Sequence, residues 1–254
     1  MSFEGKLALV TGASMPKGIG KAAALALARD GADVVVTGFN NMDGVKAVAE
    51  EIKAMGRKSL AVRMNGRDYA DVQKAFATIK NELGPVNILV NNASQMRHMV
   101  TIAKTTVEEW DAEVKLCLNS AFYCIKEAWP DMCANKWGRI VNMTSVAGVM
   151  GGSGQTSYGA AKAGLIGLAK SAALEGARFN ITANCILVGV ANTEAYYEPI
   201  PPEIRERFEK RIALRRPATP EEIADAIAFT VSDKAAYMTG AIVNMMGGLD
   251  LFVF

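Results

Sequence analysis

Short apolar runs rich in β-branched residues alternate with helical patterns from one end of this chain to the other. Strand-like runs fall at 6–11, 33–37, 59–63, 86–91, 139–143, 181–187 and 241–245, with helical patterns between them at 18–30, 43–55, 69–81, 107–134, 156–177 and 220–232. Runs that are apolar on both faces and separated by helices imply parallel strands covered on both sides. The pattern predicts an α/β fold: a single Rossmann-type, doubly wound parallel sheet of about seven strands flanked by helices. No linker, repeat or low-complexity stretch interrupts it, so one domain over residues 1–254 is expected.

Half of the residues are hydrophobic and 21% are charged, with a formal net charge of +2. That is enough to bury a sizeable core, and too near neutrality to argue for a nucleic-acid or anionic-membrane partner. The longest apolar runs, such as 22–28, fall well short of a membrane span. The opening MSFEGKLALVTG lacks the order of a signal peptide. Cys117, Cys124, Cys133 and Cys185 form no Cys-x-x-Cys pair and His98 is the single histidine, so no metal site is expected. These features predict a reduced, cytoplasmic protein.

In doubly wound sheets, ligands bind beyond the carboxyl ends of the strands. The first predicted strand ends in TGASMPKGIG, residues 11–20, which opens a helix. Glycines at such a turn let the backbone approach a pyrophosphate, and the helix N-terminus offers free N–H groups and a positive dipole end. Gly12, Ser14, Lys17, Gly18, Ile19 and Gly20 are the candidate contacts. An acidic side chain at the end of the second strand would hold the ribose hydroxyls of NAD. Here Thr37-Gly38-Phe39-Asn40 supplies no carboxylate, Gly38 leaves room for a 2′-phosphate, and Lys17 can supply charge to it. NADP(H) is therefore favoured, with NAD(H) the alternative.

The stretch from Gly138 to Lys170 carries the chemistry. A strand-like run breaks at Thr144-Ser145, a glycine-rich loop follows, and a helix opens near Thr156. Tyr158 and Lys162, four residues apart, project from one helix face. A free phenol ionises near pH ~10, and an ammonium one turn away favours its anion. Ser145 can place a hydroxyl beside the same phenol and polarise a carbonyl oxygen, so the three form a candidate proton-transfer site for a carbonyl/alcohol pair.

This serine, tyrosine and lysine set, together with the glycine loop, resembles the short-chain dehydrogenase/reductase (SDR) family and is similar to its 3-oxoacyl carrier-protein reductase-like members. The resemblance covers residues 4 to 250. It implies hydride transfer between a nicotinamide and a ketone or secondary alcohol. By the same resemblance Tyr158 is expected to act as general acid/base, Lys162 also to hold the nicotinamide ribose, and Ser145 to bind the substrate oxygen. It further implies cofactor contacts from Asn65, Asn92 and Ala93 of the Asn91-Asn92-Ala93-Ser94 segment, Tyr158, Lys162, the Val190 backbone and Thr193. A homotetramer or homodimer is the expected assembly.

The chain departs from the family pattern in several places. Five residues separate Gly12 from Gly18, where relatives have three, with Met15-Pro16 the expected insertion. Cys117 falls where relatives place an asparagine that holds a water joining the lysine to solvent, and Asn119, two positions later, faces elsewhere on a regular helix. Val188 replaces a proline. Residues 190–214 are the least family-like and suit a lid over the substrate. Met96, Val146, Met150, Tyr196 and Tyr197 suggest an apolar pocket for a hydrophobic ketone, a cyclic one or a carrier-bound 3-oxoacyl chain, with His98 at its entrance. The alternative from another class is a catalytically weakened relative serving as a cofactor-binding scaffold or sensor. An enoyl reductase is disfavoured, because those relatives space tyrosine and lysine more widely.

Overall fold

A computed structural model of the chain describes residues 2–95, 99–197 and 200–251. Strands β1 (Leu7–Val10), β2 (Asp33–Gly38), β3 (Ser59–Arg63), β4 (Ile88–Asn91), β5 (Gly138–Ser145), β6 (Ile181–Val188) and β7 (Ile242–Met245) form one seven-stranded sheet in the order β3-β2-β1-β4-β5-β6-β7. Every pairing is parallel. The order reverses between β1 and β4, and the segments singled out on the sequence leave the sheet at its carboxyl edge.

The helices are α1 (Ile19–Arg29), α2 (Met42–Ala54), α3 (Tyr69–Glu82), α4 (Val107–Val114), α5 (Ser120–Asn135), α6 (Ala147–Met150), α7 (Thr156–Gly176), α8 (Glu194–Tyr197), α9 (Pro202–Arg211) and α10 (Pro220–Thr230). Side chains alternate across the sheet with a period of two. In β1, Ala8 and Val10 join Leu27, Ile52 and Ile227 in the core on one face, while Leu7 and Leu9 join Ile79, Ile125 and Met132 on the other. Each fully buried aliphatic side chain contributes about 1.5–3 kcal/mol, so the two apolar faces fix the register of the sheet.

The expected strands and helices agree with these to within a residue or two at their ends, with three differences. The helix expected over 107–134 is broken by a π turn at Lys115–Asn119. The widened turn turns Cys117 inward and brings Leu118 onto Gly164 of α7, where a Cβ would lie 2.8 Å from the leucine. The glycine-rich loop after Ser145 contains the short helix α6, which approaches α7 closely because a Cβ on Gly148 would lie 2.8 Å from the Ala163 nitrogen. Residues 190–214 hold two helices, α8 and α9.

Candidate active site

Ser145 ends β5, and Tyr158 and Lys162 lie in the first two turns of α7. Helix α7 is tied to β5 at the lysine: the Thr144 hydroxyl donates to the Lys162 carbonyl at 2.7 Å, and the Lys162 Nζ donates to the Met143 carbonyl at 2.7 Å. Lys162 is buried, with its ammonium 5.5 Å from the centre of the half-buried Tyr158 ring. The Ser145 Oγ accepts from the Ala147 N–H at 3.3 Å, which leaves its proton to donate elsewhere.

The turn between β1 and α1 is locked to the end of β4. Thr11 Oγ1 accepts from the N–H groups of Asn92 and Ala93 at 3.0 and 2.9 Å, and Asn92 Nδ2 donates to the carbonyls of Thr11 and Gly12. Gly12 has φ 70°, and a Cβ there would lie 2.8 Å from the Ala93 Cα. Asn92 and Ala93 therefore brace the turn. Ser14 is fixed through its carbonyl, which accepts from Asn41 Nδ2 at 3.0 Å. Gly18 caps α1 without a side-chain bond, and no acidic residue stands in the first turn of α1. The first-turn N–H groups of Ile19 and Gly20 thus face no acidic side chain of their own helix. The exposed Lys17 gives its backbone N–H to Glu194 Oε1 of α8 at 2.8 Å, while the other carboxylate oxygen of Glu194 is buried without a partner. An anion already sits on this loop, which is the behaviour a pyrophosphate cradle requires.

At the carboxyl ends of β2 and β3, Gly38 pairs with Arg63. A Cβ on Gly38 would lie 2.5 Å from Val45 Cγ2, so no carboxylate-bearing side chain fits there. The Arg63 guanidinium lies 4.1 Å from the centre of the Phe39 ring, a pairing the sequence reading missed. Asn65 Oδ1 accepts from the Arg67 N–H at 3.2 Å, leaving its amide group as a donor. Beyond β6, the Val190 carbonyl accepts from Ala218 at 3.0 Å, and the Thr193 N–H donates to the Ala191 carbonyl at 2.9 Å.

Within the π turn Cys117 is buried, while Asn119 is half-buried. The Cys117 thiol is 2% exposed, 3.3 Å from Ser94 Oγ and 4.0 Å from the Gln95 carbonyl oxygen. The Asn119 side chain makes no hydrogen bond among the described residues. Of the expected pocket residues, Met150 is 53% exposed, Val146 and Tyr197 are partly open, and Tyr196 is buried with its hydroxyl donating to the Arg205 carbonyl. Tyr196 thus packs within its own segment, where burial pushes its phenol up to about 12. Met96 and His98 lie outside the described residues. Sequence reasoning also missed Glu113: buried in α4, it accepts from the Ser157 hydroxyl and leaves Oε1 unpartnered beside a cavity of about 250 Å³. An isolated buried carboxylate has no periodic signature. Among the described residues no cluster of His, Cys, Asp or Glu is arranged to hold a metal ion, and no helix is long and apolar enough to cross a membrane.

A parallel sheet with a glycine turn at its switch point and a serine, tyrosine and lysine on its rim defines a dinucleotide-dependent oxidoreductase. The comparisons agree. A family described as Enoyl-(Acyl carrier protein) reductase matches residues 12–250. The 3-oxoacyl-[acyl-carrier-protein] reductase of Staphylococcus aureus is 38% identical over 244 residues, which is 96% of this chain and 98% of that protein. Nodulation protein G of Azospirillum brasilense is also 38% identical, over 245 residues, with 96% and 98% covered. The crystal structure of a protein assigned as a short-chain alcohol dehydrogenase from Sinorhizobium meliloti superposes with a TM-score of 0.92 at 32% identity, covering 99% of both chains. The chain belongs to the short-chain dehydrogenase/reductase family, and with it to the NAD(P)-dependent oxidoreductases that interconvert C=O and CH–OH groups. Neither the geometry nor these relatives favour the scaffold alternative.

Proposed function

We propose that the protein is an NADP(H)-dependent ketoreductase in which Tyr158 moves the proton, Ser145 binds the substrate oxygen and Lys162 supports the phenolate. The observation that carries this reading is the double tie between Lys162 and β5, which fixes an ammonium beside the Tyr158 ring. The bound nicotinamide supplies the hydride chemistry. The chain's own part is to orient and to transfer the proton. Ser145, engaged as an acceptor by Ala147, directs its hydrogen to the substrate oxygen, and Tyr158 gives a proton to that oxygen in reduction or takes one in oxidation.

The dinucleotide fits the residues present: a helix N-terminus with no side-chain cap and no acidic residue of its own for the pyrophosphate, the Asn65 amide for adenine, and Gly12, Ser14, Lys17, Gly18, Ile19, Gly20, Asn92, Ala93, Val190 and Thr193 around it. NADP(H) is preferred over NAD(H) because Gly38 admits no carboxylate. The substrate is an apolar ketone, with a carrier-bound 3-oxoacyl chain the first to test in view of the relatives. The segment 190–214 serves as its lid within a single domain, and the protein works in the cytoplasm. Assembly as a homotetramer or homodimer is supported by the large apolar side chains left open on α5 and α7, Phe122 and Leu174, and by Ile242 of β7 and Tyr237 of the turn before it. The test is oxidation of NADPH and of NADH against a panel of 3-oxoacyl thioesters and cyclic ketones. Turnover with NADPH supports the reading, and cofactor binding without any turnover overturns it.

A further inference from the structure

We propose that Arg63, laid against the face of Phe39, is the cation that selects a 2′-phosphate on the adenosine ribose. This rests on the reading that the cofactor is NADP(H). On the sequence, Phe39 follows the second strand and Lys17 is the available cation. The fold supplies another. Gly38 of β2 and Arg63 of β3 are direct partners in the parallel ladder, and the ladder ends there with the Met64 N–H donating to the Gly38 carbonyl at 2.8 Å. Arg63 therefore leaves the sheet on the same rim and at the same level as the residue that would face the ribose.

Its side chain is placed by Phe39, with the guanidinium carbon 4.1 Å from the ring centre. An arginine on an aromatic face keeps its edge N–H groups free for a planar or tetrahedral anion, and the stack holds the fork in place before the anion arrives. Among the described residues the Arg63 side chain forms no ion pair and no hydrogen bond, so no carboxylate has to be displaced. Beside it, Gly38 carries no side chain, and because a Cβ there would meet Val45 at 2.5 Å and Ser14 Cβ at 3.5 Å, no carboxylate can be built next to the guanidinium from that position. Phe39 thus holds in place an arginine from the neighbouring strand. Lys17, in contrast, is an exposed ammonium on a flexible stem whose described bond runs from its backbone.

The measurement is equilibrium binding of NADPH, NADH, 2′,5′-ADP and 5′-AMP, by calorimetry, to the wild type and to Arg63→Ala, Phe39→Leu and Lys17→Ala, each checked for an unchanged melting temperature. Arg63→Ala should weaken NADPH and 2′,5′-ADP by roughly ten- to hundredfold, the worth of a hydrogen-bonded charge, while NADH and 5′-AMP change by less than about twofold. Phe39→Leu should give a smaller loss of the same selectivity, and Lys17→Ala no more than about fivefold, as for an exposed ion pair. Equal weakening of NADPH and NADH in Arg63→Ala would make Arg63 an adenine contact and overturn the proposal. So would loss of selectivity in Lys17→Ala alone. A wild type that binds NADH as tightly as NADPH would instead overturn the cofactor reading beneath it.

Discussion

The Lys162 Nζ donates to the Met143 carbonyl at 2.7 Å, while the hydroxyl of Thr144, the next residue of β5, donates to the Lys162 carbonyl at the same distance. The two bonds hold the ammonium and its helix to one strand, within a buried site. Removing the hydroxyl by Thr144→Val should lower stability by about 1–2 kcal/mol, since a buried bond is lost. It should also lower kcat with little change in KM, because Lys162 is loosened and substrate contacts are not. Thermal denaturation and steady-state rates check both halves.

Glu194 places a carboxylate on the N–H of Lys17, in the loop proposed to take the pyrophosphate. Two anions compete there, and one oxygen of Glu194 is buried without a partner. Glu194→Gln should therefore tighten NADPH and NADH alike by about two- to fivefold, the scale of an anion at a helix N-terminus. Fluorescence titration measures this, and weaker binding of both would show that the carboxylate supports the closed loop rather than competing with the cofactor.

Cys117 and Ser94 touch at 3.3 Å, and the thiol is 2% exposed. An asparagine is larger and brings two polar groups into the space the serine occupies. Cys117→Asn alone should cost about 1–3 kcal/mol in stability and leave kcat unimproved. Ser94→Gly combined with it should recover most of that loss, giving a coupling of at least about 0.5 kcal/mol in a double-mutant cycle. Additive effects would show that the two positions are independent.

Glu222 bonds Arg216 with both oxygens, at 2.6 and 2.7 Å, and closes the capping box on Thr219 at the start of α10. The Arg216 guanidinium first, then the Thr219 backbone N–H, hold its carboxyl down to about 2. The folded carboxyl is depressed below the unfolded one, so its stabilisation is present above pH ~4.3 and is lost as the pH falls toward 2. The pair is exposed, so its contribution is small. Melting temperatures of wild type and Glu222→Gln should differ by a constant amount above pH 5 and converge near pH 2. A gap that widens at low pH would contradict this sign.

Much of the molecule was legible because its signals are local. Every strand of the sheet is a short run of β-branched and apolar residues, and the turn at Gly12 needs a positive φ that glycine supplies. Ser145, Tyr158 and Lys162 could be read as a set because one strand and one helix carry them in fixed spacing. What escaped depends on pairs distant in sequence. The Arg63–Phe39 stack requires the β2–β3 register, the Glu194–Lys17 bond joins residues 177 positions apart, and Glu113 meets Ser157 only once α4 packs on α7. The π turn at Cys117 escaped for a different reason. Its 3.6-residue pattern continues on both sides, and what selects the extra residue is the fit of Cys117 against Ser94 and of Leu118 against Gly164.

The central claim is that Tyr158 carries the proton. It is tested most directly by kcat for Tyr158→Phe beside wild type, using NADPH and one ketone from the panel that wild type turns over, with NADPH affinity measured in parallel. The geometry predicts a fall of about 10²–10⁴-fold in kcat with NADPH binding nearly unchanged. Equal rates for the two proteins would contradict it.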